Sequence, residues 1–547
     1  MVRNLRLIAL WAAPLLFVGV LFYWPLIKIL NLGFFAGLSG TALGAQTISA
    51  VWFTIWQAAL STLICLVLGI PGAYVLYRRN FRGRNFLRVL ITVPLVLPTI
   101  VVAIAFVSFR KLHEMYSAIG MDWVAGNSSY WIIVAHVFIN YSLTVRSIGG
   151  VWATLDPELE EAAELAGAGR LRTLISITLP QLRQAVVSAA ALTFLFCATS
   201  FGIILVLGGG LVHSLETEIA SAALDYLDLG KAALLALFQT GLTIAALAMS
   251  TRIGRRAVGL EQIDETSHLP RLGPRDWAAI AVTAPTILGL IALPIGSVLV
   301  RAFQTADGAW GFGNFALLLT RGEHDLLNVD VLTAAGNSLR NVAISTTLAV
   351  TIGLAVSYLL SRNIRNRGHG LATWLLDLAF LLPMGISSVV LAFGYLVTFN
   401  GEPFPLRASW LSVPLIQSLM ATPLVVRLVF PALQSISPEQ REAAATAGAN
   451  QSQTWWYIEL GIIRHVVVTA IGYAAIASIG EYGAASLLAF GNQATLPTEL
   501  FQLISRPGQT NFGMAMAITA ILIVITYCVV ALVAVRRRRP VLPTAAR

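Results

Sequence analysis

The chain has 547 residues, of which 57% are hydrophobic and only 11% are charged. Soluble domains carry about 25% charged residues, so this composition excludes one large soluble core and predicts a polytopic membrane protein. Lys and Arg outnumber Asp and Glu by 36 to 26, a net charge of +10. The basic residues cluster at the ends of apolar stretches, which is typical of membrane topology rather than of nucleic-acid binding. Cys65, Cys197 and Cys528 lie far apart within apolar stretches and form no metal-binding or disulfide pattern.

The apolar stretches are long enough to cross a membrane, which takes about 20 residues each. The first stretch follows a basic start and exceeds the core of a signal peptide, so we expect an uncleaved transmembrane helix. The pattern predicts an all-α polytopic membrane fold with about twelve spans, six in each half. These spans lie near residues 6–30, 51–76, 87–109, 130–150, 185–207, 231–250, 277–301, 339–360, 371–398, 409–433, 466–489 and 513–535.

The arginines between the spans indicate how the chain is oriented. Lys and Arg in short loops mark the cytoplasmic side of a bacterial inner membrane. Counting spans places every arginine run on one side, so we expect that side, with both termini, to be cytoplasmic. The runs are Arg3 and Arg6; Arg78, Arg79, Arg82, Arg84 and Arg88; Arg252, Arg255 and Arg256; Arg362, Arg365 and Arg367; and Arg536 to Arg539.

One polar segment occurs twice in this apolar chain. Residues 156–180 read DPELEEAAELAGAGRLRTLISITLP, and residues 437–461 read SPEQREAAATAGANQSQTWWYIELG. Glu-Ala-Ala and the following glycine keep their spacing, and the two copies lie 281 residues apart (437 − 156). Asp or Ser followed by Pro is typical of a helix start, and the small residues that follow allow another protein to approach closely. The alternative, an ordinary loop between helices, is disfavoured by two copies with matched spacing.

The two segments resemble the EAA loop of the permeases of binding-protein-dependent ABC importers. That loop reads Glu-Ala-Ala, three residues, Gly, nine residues, then Ile, any residue and Leu-Pro. The first copy matches it throughout, whereas Gly461 replaces the final Pro of the second. In that family the loop docks onto a cytoplasmic ATPase. The resemblance therefore implies that the ATPase-coupling residues are Glu161, Ala162, Ala163, Gly167, Glu442, Ala443, Ala444 and Gly448.

The resemblance also implies the architecture and the partners. We expect two tandem MetI-like transmembrane domains, an ABC ATPase dimer on the cytoplasmic side, a solute-binding protein on the other side, and membrane lipid around the helices. The repeat continues outside the loops, since GAYVLYRRNFRGR (72–84) pairs with AVSYLLSRNIRNR (355–367). Parallel repeats of this kind place a substrate path between the halves.

The repeat predicts how the chain is divided. The first permease half covers 1–250, with its EAA loop at 156–183, and a cytoplasmic linker covers 251–276. The second half covers 277–535, with its EAA loop at 437–464, and a basic cytoplasmic tail covers 536–547. The longest outer segment, 302–338, is either a small cap or a mobile loop.

No candidate for catalysis emerges from the sequence. It contains no ATP-binding G-x-x-x-x-G-K-[ST] motif, no nucleophile elbow and no clustered metal ligands. We therefore expect no enzyme activity, no cofactor and no bound metal in this chain, with ATP hydrolysis in a separate subunit.

The candidates for a translocation path are few. Glu481 lies in an apolar stretch, where an ionisable group is costly and often lines a pathway; the alternative is local pairing near the outer interface. The repeat pairs Ser200-Phe201-Gly202 with Glu481-Tyr482-Gly483, which adds Ser200, Phe201 and Tyr482. His136 in the middle of a span is either a path residue or a histidine satisfied by a neighbouring helix.

The substrate is suggested only by resemblance. Single chains with both permease halves are typical of the thiamine and ferric-iron groups of this family. Residues 200–239, with Leu-Gly-Gly-Gly at 207–210, resemble the thiamine permeases, and residues 478–497 resemble both groups. This implies import of thiamine or its phosphates, with ferric iron as the alternative. An ion-coupled secondary transporter is the alternative of another class, and it would need more acids within the membrane.

Overall fold

A computed structural model describes residues 11–38, 44–110, 126–253, 269–321, 326–367, 376, 378–401, 406, 409–506 and 508–536. The first half contains α1 (Trp11–Ala36), α2 (Ala45–Arg78), α3 (Arg84–Val96), α4 (Thr99–Arg110), α5 (Ser128–Thr154), α6 (Pro157–Leu165), α7 (Leu171–Ala198), α8 (Gly202–Gly208), α9 (Leu215–Leu224) and α10 (Leu229–Ile253). The second half contains α11 (Pro274–Ala302), α12 (Val331–Arg367), α13 (Leu378–Gly385), α14 (Ser388–Thr398), α15 (Ser412–Gln434), α16 (Pro438–Thr446), α17 (Gln451–Ile479), α18 (Gly483–Leu488), α19 (Leu496–Ser505) and α20 (Gln509–Arg536). The halves repeat each other in order, so α1 corresponds to α11 and α10 to α20.

The described helices confirm the all-α polytopic membrane fold. Nine of them are long and apolar enough to cross a membrane, and the number is eleven if each of two bent helix pairs counts as one span. Within the residues described, the apolar part of α20 is Gln509–Ile525, which is shorter than these. It corresponds to the last of the predicted spans.

Two spans are sharply broken at matching places. The axes of α3 and α4 differ by 100°, and those of α13 and α14 differ by 102°. Pro98 lies in the first break, and Pro383 lies two residues before the end of α13. Proline removes a backbone donor and disfavours a helical conformation in the residue before it, which explains why both spans turn here.

Two other spans end earlier than the sequence predicts. The stretches 185–207 and 466–489 are predicted as single helices, but α7 ends at Ala198 and α8 begins at Gly202. Likewise α17 ends at Ile479 and α18 begins at Gly483. Hydropathy does not detect these breaks because the residues on either side of each break are equally apolar. Both breaks fall where the repeat places the path candidates.

The two halves interlock through their first helices. Helix α1 packs on α10 of its own half and on α14 of the other, while α11 packs on α20 and on α4. A Cβ built on Gly394 of α14 would lie 2.9 Å from Ile29 and 3.0 Å from Pro25 of α1. The absence of a side chain at Gly394 therefore lets α1 lie directly on the broken span of the opposite half.

The short helices α6 and α16, with the turns that follow them, lie at the same end of the bundle. We call residues 157–170 the first elbow and 438–451 the second.

Helix α11 begins beside the end of α2, where Asp276 accepts hydrogen bonds from Tyr74 at 2.8 Å and Arg79 at 3.1 Å. It ends at the opposite side, where Asn314 bonds the carbonyls of residues 301, 302 and 304 and contacts Gly513 at the start of α20. Helix α12 starts near that side and ends beside the second elbow.

The predicted connecting segments are described only in part. In the linker 251–276, residues 254–268 lie outside the described residues, as do 537–547 of the basic tail and 1–10 at the start of the chain. The end of the linker is joined to the loop after α2, because Asn80 exchanges backbone hydrogen bonds with Pro270 and Leu272. The outer segment 302–338 holds a short helix, Gly313–Ala316, next to α20.

Adjacent glycines on α5 offer a test of this packing. A Cβ on Gly149 would collide with the ring of Tyr77, which also contacts Arg88, 4.2 Å from the ring centre, whereas a Cβ on Gly150 would have open space. Gly149→Ala should cost about 1–3 kcal/mol of unfolding free energy through overpacking. Gly150→Ala should be neutral or stabilise by up to about 1 kcal/mol, since alanine favours a helix. Thermal unfolding in detergent measures both, and equal melting temperatures would contradict the placement of α5 against α2.

Candidate functional site

The two elbows begin in different ways despite their similar sequences. Asp156 accepts a hydrogen bond from the backbone N–H of Glu158 at 2.9 Å and caps α6, as predicted. Ser437 makes no such bond to the backbone of α16. The Glu439 carboxylate instead accepts from its own N–H and from the Ser437 hydroxyl, and both bonds lower the pKa of Glu439.

The two elbows end in the same way. Gly167 and Gly448 both have φ +86°, the left-handed conformation that favours glycine. In the first elbow, Gly167 N–H donates to the Glu164 carbonyl and Ala168 N–H to the Ala163 carbonyl, each at 3.0 Å. The second elbow repeats both bonds, also at 3.0 Å, between Gly448 and Ala445 and between Ala449 and Ala444. This pair of hydrogen bonds is the Schellman motif, and it explains why each copy carries a glycine at this position.

The elbows present small and apolar residues to their surroundings. Glu161, Ala162, Gly167, Glu442, Ala443 and Gly448 are exposed, and Ala163 and Ala444 are half-buried. Leu165 at the tip of the first elbow is 89% exposed, and Tyr457 beside the second is 79% exposed. An open groove of about 620 Å³, lined by Gly169, Leu171, Arg172, Ile175 and Ser176, adjoins the first elbow. Large apolar side chains exposed next to a cavity are typical of a protein-binding surface.

A second site lies where the halves meet. The breaks between α7 and α8 and between α17 and α18 bring Phe201 and Tyr482 together. Their rings stack across the interface with centroids 5.6 Å apart and an interplanar angle of 17°. Phe201 is 6% exposed and Tyr482 is 4% exposed. The structure thus joins two of the predicted path residues directly, with Ser200 and Glu481 next to them in the chain.

Glycines allow the broken spans to meet this stacked pair. A Cβ on Gly202 would lie 2.9 Å from Thr99 Oγ1 and 3.4 Å from the Tyr482 ring. A Cβ on Gly480 would lie 3.2 Å from Cα of Pro98, and one on Gly483 would collide with the Ser388 hydroxyl. The starts of α4 and α14 therefore enclose the stacked pair from the two halves.

Two carboxylates meet at the start of α14. Ser387 donates to Glu216 Oε2 at 2.5 Å, and this bond crosses from α9 of the first half to the second half. The next residue, Ser388, donates to Glu481. Glu216 also interacts with the Gln239 side chain, whereas Glu481 Oε2 has no hydrogen-bond partner among the residues that the structure describes. Glu481 therefore keeps an acceptor that could bind a cationic or hydrogen-bond-donating solute.

Glu481 is also bound locally, which the sequence left as the alternative for this residue. Its Oε1 accepts from the Ala484 N–H at 2.8 Å, and its carboxylate also accepts from the backbone of Gly483 and Ala485. Three backbone donors at the start of α18 thus stabilise the negative charge. They satisfy one carboxylate oxygen and leave Oε2 available.

Sequence reasoning missed Glu216, Ser387 and Ser388. Glu216 lies in the polar run HSLETE, which follows the predicted span and contains no repeat motif. The serines follow Pro383 in a stretch that resembles plain helix packing. The available signal was that an acid and two consecutive serines each border a break in an apolar span, but only the fold brings them together.

The other predicted path residues have fewer contacts. His136 on α5 is 1% exposed, and in the part of the chain described neither ring nitrogen has a hydrogen-bond partner. Asn140 donates to the backbone carbonyl of His136 at 3.0 Å rather than to its ring. The Ser200 hydroxyl is buried and likewise has no partner among the described residues. No described polar contact connects His136 to the stacked pair.

The bond between Ser387 and Glu216 should stabilise the contact between the halves. Ser387→Ala removes the donor to the buried Glu216 and also the helix cap that accepts from the Val389 N–H at 3.1 Å, so we expect a loss of about 1.5–3 kcal/mol in unfolding free energy. Ser505→Ala is the control, since that exposed hydroxyl bonds only a carbonyl of its own helix, Phe501, at 2.7 Å. Thermal unfolding in detergent compares the two variants. A Ser387→Ala protein as stable as the control would show that the cross-half bond contributes nothing.

Comparison with known proteins identifies the family. The profile described as "Binding-protein-dependent transport system inner membrane component" matches residues 65–259 and 349–540, more than half of the chain. The thiamine transport system permease protein of Salmonella typhimurium is 27% identical over 465 residues, 83% of each chain. That of Brucella abortus is 27% identical over 513 residues, 87% of this chain and 89% of the relative. A probable ABC transporter permease of Sinorhizobium fredii is 25% identical over 498 residues, 86% of this chain and 84% of the relative. The chain therefore belongs to the family of binding-protein-dependent transport system inner membrane components, the permeases of ABC importers, and carries its domain twice.

Proposed function

We propose that this chain supplies both halves of the permease of an ABC importer for thiamine or its phosphates. The observation that carries the proposal is the alignment of named thiamine permeases with 83% and 87% of this chain, both halves included. In this proposal a solute-binding protein delivers thiamine to the end opposite the elbows, and a separate ATPase dimer hydrolyses ATP at the elbow end.

The orientation and the domain boundaries belong to the same proposal. The elbow end is cytoplasmic because the arginine runs Arg78–Arg88 and Arg362–Arg367 end the helices on that side. Both termini are cytoplasmic as well. The halves are residues 1–250 and 277–535, joined by the linker 251–276 and followed by the tail 536–547. The described end of the linker supports this division, since it lies beside the end of α2.

The elbows are the proposed docking surface for the ATPase. Their exposed residues are small at the centre and apolar at the rim, and Leu165 has almost no cover from the rest of the chain. A second protein that covers this surface would bury apolar area at about 25 cal/mol per Å². Glu161, Ala162, Ala163 and Gly167, with Glu442, Ala443, Ala444 and Gly448, form the proposed contact.

The junction between the halves is the proposed path. Phe201 and Tyr482 close it in this structure, with Ser200, Glu481 and His136 as further lining residues. Thiamine is a cation because the nitrogen of its thiazolium ring is quaternary. Aromatic faces and carboxylates both attract such a group, so the stacked pair and the free oxygen of Glu481 suit this solute.

Uptake of labelled thiamine tests the proposal. The chain is expressed with its own ATPase and binding protein in cells that lack a thiamine importer, and labelled ferric iron serves as the contrast. We expect thiamine uptake that stops when the ATPase carries a hydrolysis-blocking substitution. Iron uptake in place of thiamine uptake would support the alternative substrate. Uptake that continues with the blocked ATPase would contradict the requirement for ATP.

The charge of Glu481 gives a sharper prediction for the same assay. Glu481→Gln keeps acceptors for the start of α18 but removes the negative charge. Two unit charges 4 Å apart at an effective dielectric of 20 attract by about 4 kcal/mol, and each 1.4 kcal/mol is about tenfold. We therefore expect uptake to fall at least about tenfold with unchanged ATPase assembly. Asp307→Asn, which removes an exposed charge, is the control, and equal uptake by both variants would exclude a charge role for Glu481.

A further inference from the structure

An arginine, a carboxylate and a third polar side chain join the first elbow to the helices around it. Arg78, the last residue of α2, bonds Glu160 Oε2 of α6 at 3.0 Å. Its other terminal nitrogen donates to the carbonyl of Leu155, just after the end of α5, at 3.1 Å. Glu160 Oε1 accepts from the Thr178 hydroxyl of α7 at 2.8 Å. We call Arg78, Glu160 and Thr178 the first clamp.

The second elbow is joined by a related set with its charges rearranged. Arg441 of α16 bonds Glu459 Oε1 of α17 at 2.5 Å, and Arg362 of α12 bonds the same oxygen at 3.3 Å. Arg441 also donates to the carbonyls of Ile436 at 2.7 Å and Leu433 at 3.0 Å, at the end of α15. We call Arg362, Arg441 and Glu459 the second clamp.

The two clamps occupy corresponding positions, but their carboxylates lie on different helices. Glu160 and Arg441 are 281 residues apart (441 − 160), and so are Thr178 and Glu459 (459 − 178). The carboxylate therefore lies on the elbow in the first half and on the long helix after it in the second. In both halves an arginine from α2 or α12 binds that carboxylate, and an arginine bonds the carbonyl at 155 or 436. The residue types differ, but the four helices that are joined correspond.

The clamps are shielded from solvent and lie at irregular points of α7 and α17. Side-chain exposure is 9% for Arg78 and 26% for Glu160, and 2% for Glu459 and 10% for Arg441. Ion pairs at such partial burial are screened less than surface pairs. Thr178 ends the π-helical segment Leu174–Thr178, and Glu459 ends Thr454–Glu459. Helical bulges of this type are often found at functional sites.

A straight helix connects each clamp to the stacked pair. After the first clamp, α7 continues regularly from Leu179 to Ala198, and Phe201 follows three residues later. After the second, α17 runs from Leu460 to Ile479, and Tyr482 follows three residues later. Each of these 20-residue helical segments is about 30 Å long. If an elbow is displaced and its clamp transmits the displacement to α7 or α17, the displacement therefore reaches Phe201 or Tyr482.

We propose that the two clamps are the positioning elements that couple the elbows to the path. Each clamp holds its elbow rigidly to the helix that ends beside Phe201 or Tyr482, so closure of the ATPase dimer moves the two rings. This inference rests on the proposed function for the docking of an ATPase, but not on the identity of the solute. It assigns the role to Arg78, Glu160 and Thr178, and to Arg362, Arg441 and Glu459.

The rearranged acid allows the second clamp to be transplanted into the first half. Glu160→Arg alone places two arginines together and should break the first clamp. Glu160→Arg with Thr178→Glu recreates the arginine and carboxylate of the second clamp and should restore it. Thr178→Glu alone controls for the added acid, because it faces Glu160. Asp307→Arg, an exposed position outside both elbows, controls for the change in net charge.

The measurement is the stimulation of ATP hydrolysis by the loaded binding protein in the full complex, together with transport per ATP hydrolysed. We expect Glu160→Arg to lower both by about tenfold, the size of a typical coupling factor, in complexes that contain the ATPase. The double variant should recover most of the wild-type coupling, and Asp307→Arg should resemble the wild type. A double variant as uncoupled as Glu160→Arg would overturn the proposal.

Two further results separate this proposal from the proposed function. If Glu160→Arg fails to assemble, Glu160→Gln replaces it, since the amide keeps a bond to Thr178 while losing the ion pair. Full coupling in Glu160→Gln would overturn the clamp and leave the importer intact. A wild-type chain that binds no ATPase would overturn the proposed function and the clamp together.

Discussion

The architecture depends on how a membrane protein satisfies the backbone at breaks in its helices. A free N–H or C=O group in hydrocarbon costs several kcal/mol, so irregular backbone at membrane depth must be buried in protein or face water. The described part of the chain contains four such breaks, before α4, α8, α14 and α18. Helix α1 covers the broken span that ends in α14, and α11 covers the one that ends in α4. The interlocking of the halves is therefore the means by which each half seals the irregular backbone of the other.

The doubled plan also explains why the two halves differ where they meet. A symmetric dimer presents the same residue twice at its axis, whereas a fused chain can place an acid on one side only. Glu481 corresponds to Ser200, and Glu216 corresponds to Pro497 (497 − 216 = 281). Both acids consequently meet the start of α14, and no acid meets the start of α4 in the corresponding way within the described residues. The proposed path is thus chemically one-sided although the helices around it are paired.

Much of this could be predicted from the sequence, since it depended on local pattern. The elbows were found because Glu-Ala-Ala and a glycine recur at fixed spacing, and the left-handed φ of Gly167 and Gly448 is the physical reason for that glycine. The repeat predicted that Phe201 corresponds to Tyr482, but not that their rings stack. Glu216 was missed because its partner Ser387 is 171 residues away in the chain, and no local pattern encodes such a contact.

The breaks and the clamps were missed for related reasons. Hydropathy cannot distinguish a continuous apolar helix from two helices with a short break, so the spans 185–207 and 466–489 were predicted as continuous. The clamps escaped detection because the repeat conserves no residue type at 160 and 441 or at 178 and 459. At these positions both halves have a side-chain contact between the elbow and the long helix after it, but the acid lies on the elbow in one half and on the long helix in the other. Only the three-dimensional structure reveals such a contact.

Because the acid lies on different helices in the two clamps, the two halves should respond differently when the elbows are displaced. In the first half the elbow contributes a carboxylate that is about one quarter exposed, and this carboxylate bonds the neutral Thr178 hydroxyl of α7. In the second half the elbow contributes an arginine bound to a buried carboxylate that a second arginine also contacts. Hydrogen bonds between two charged groups are stronger than those with one neutral partner. The second elbow is therefore tied more firmly to its long helix than the first, and the same displacement at both elbows should move Tyr482 more than Phe201.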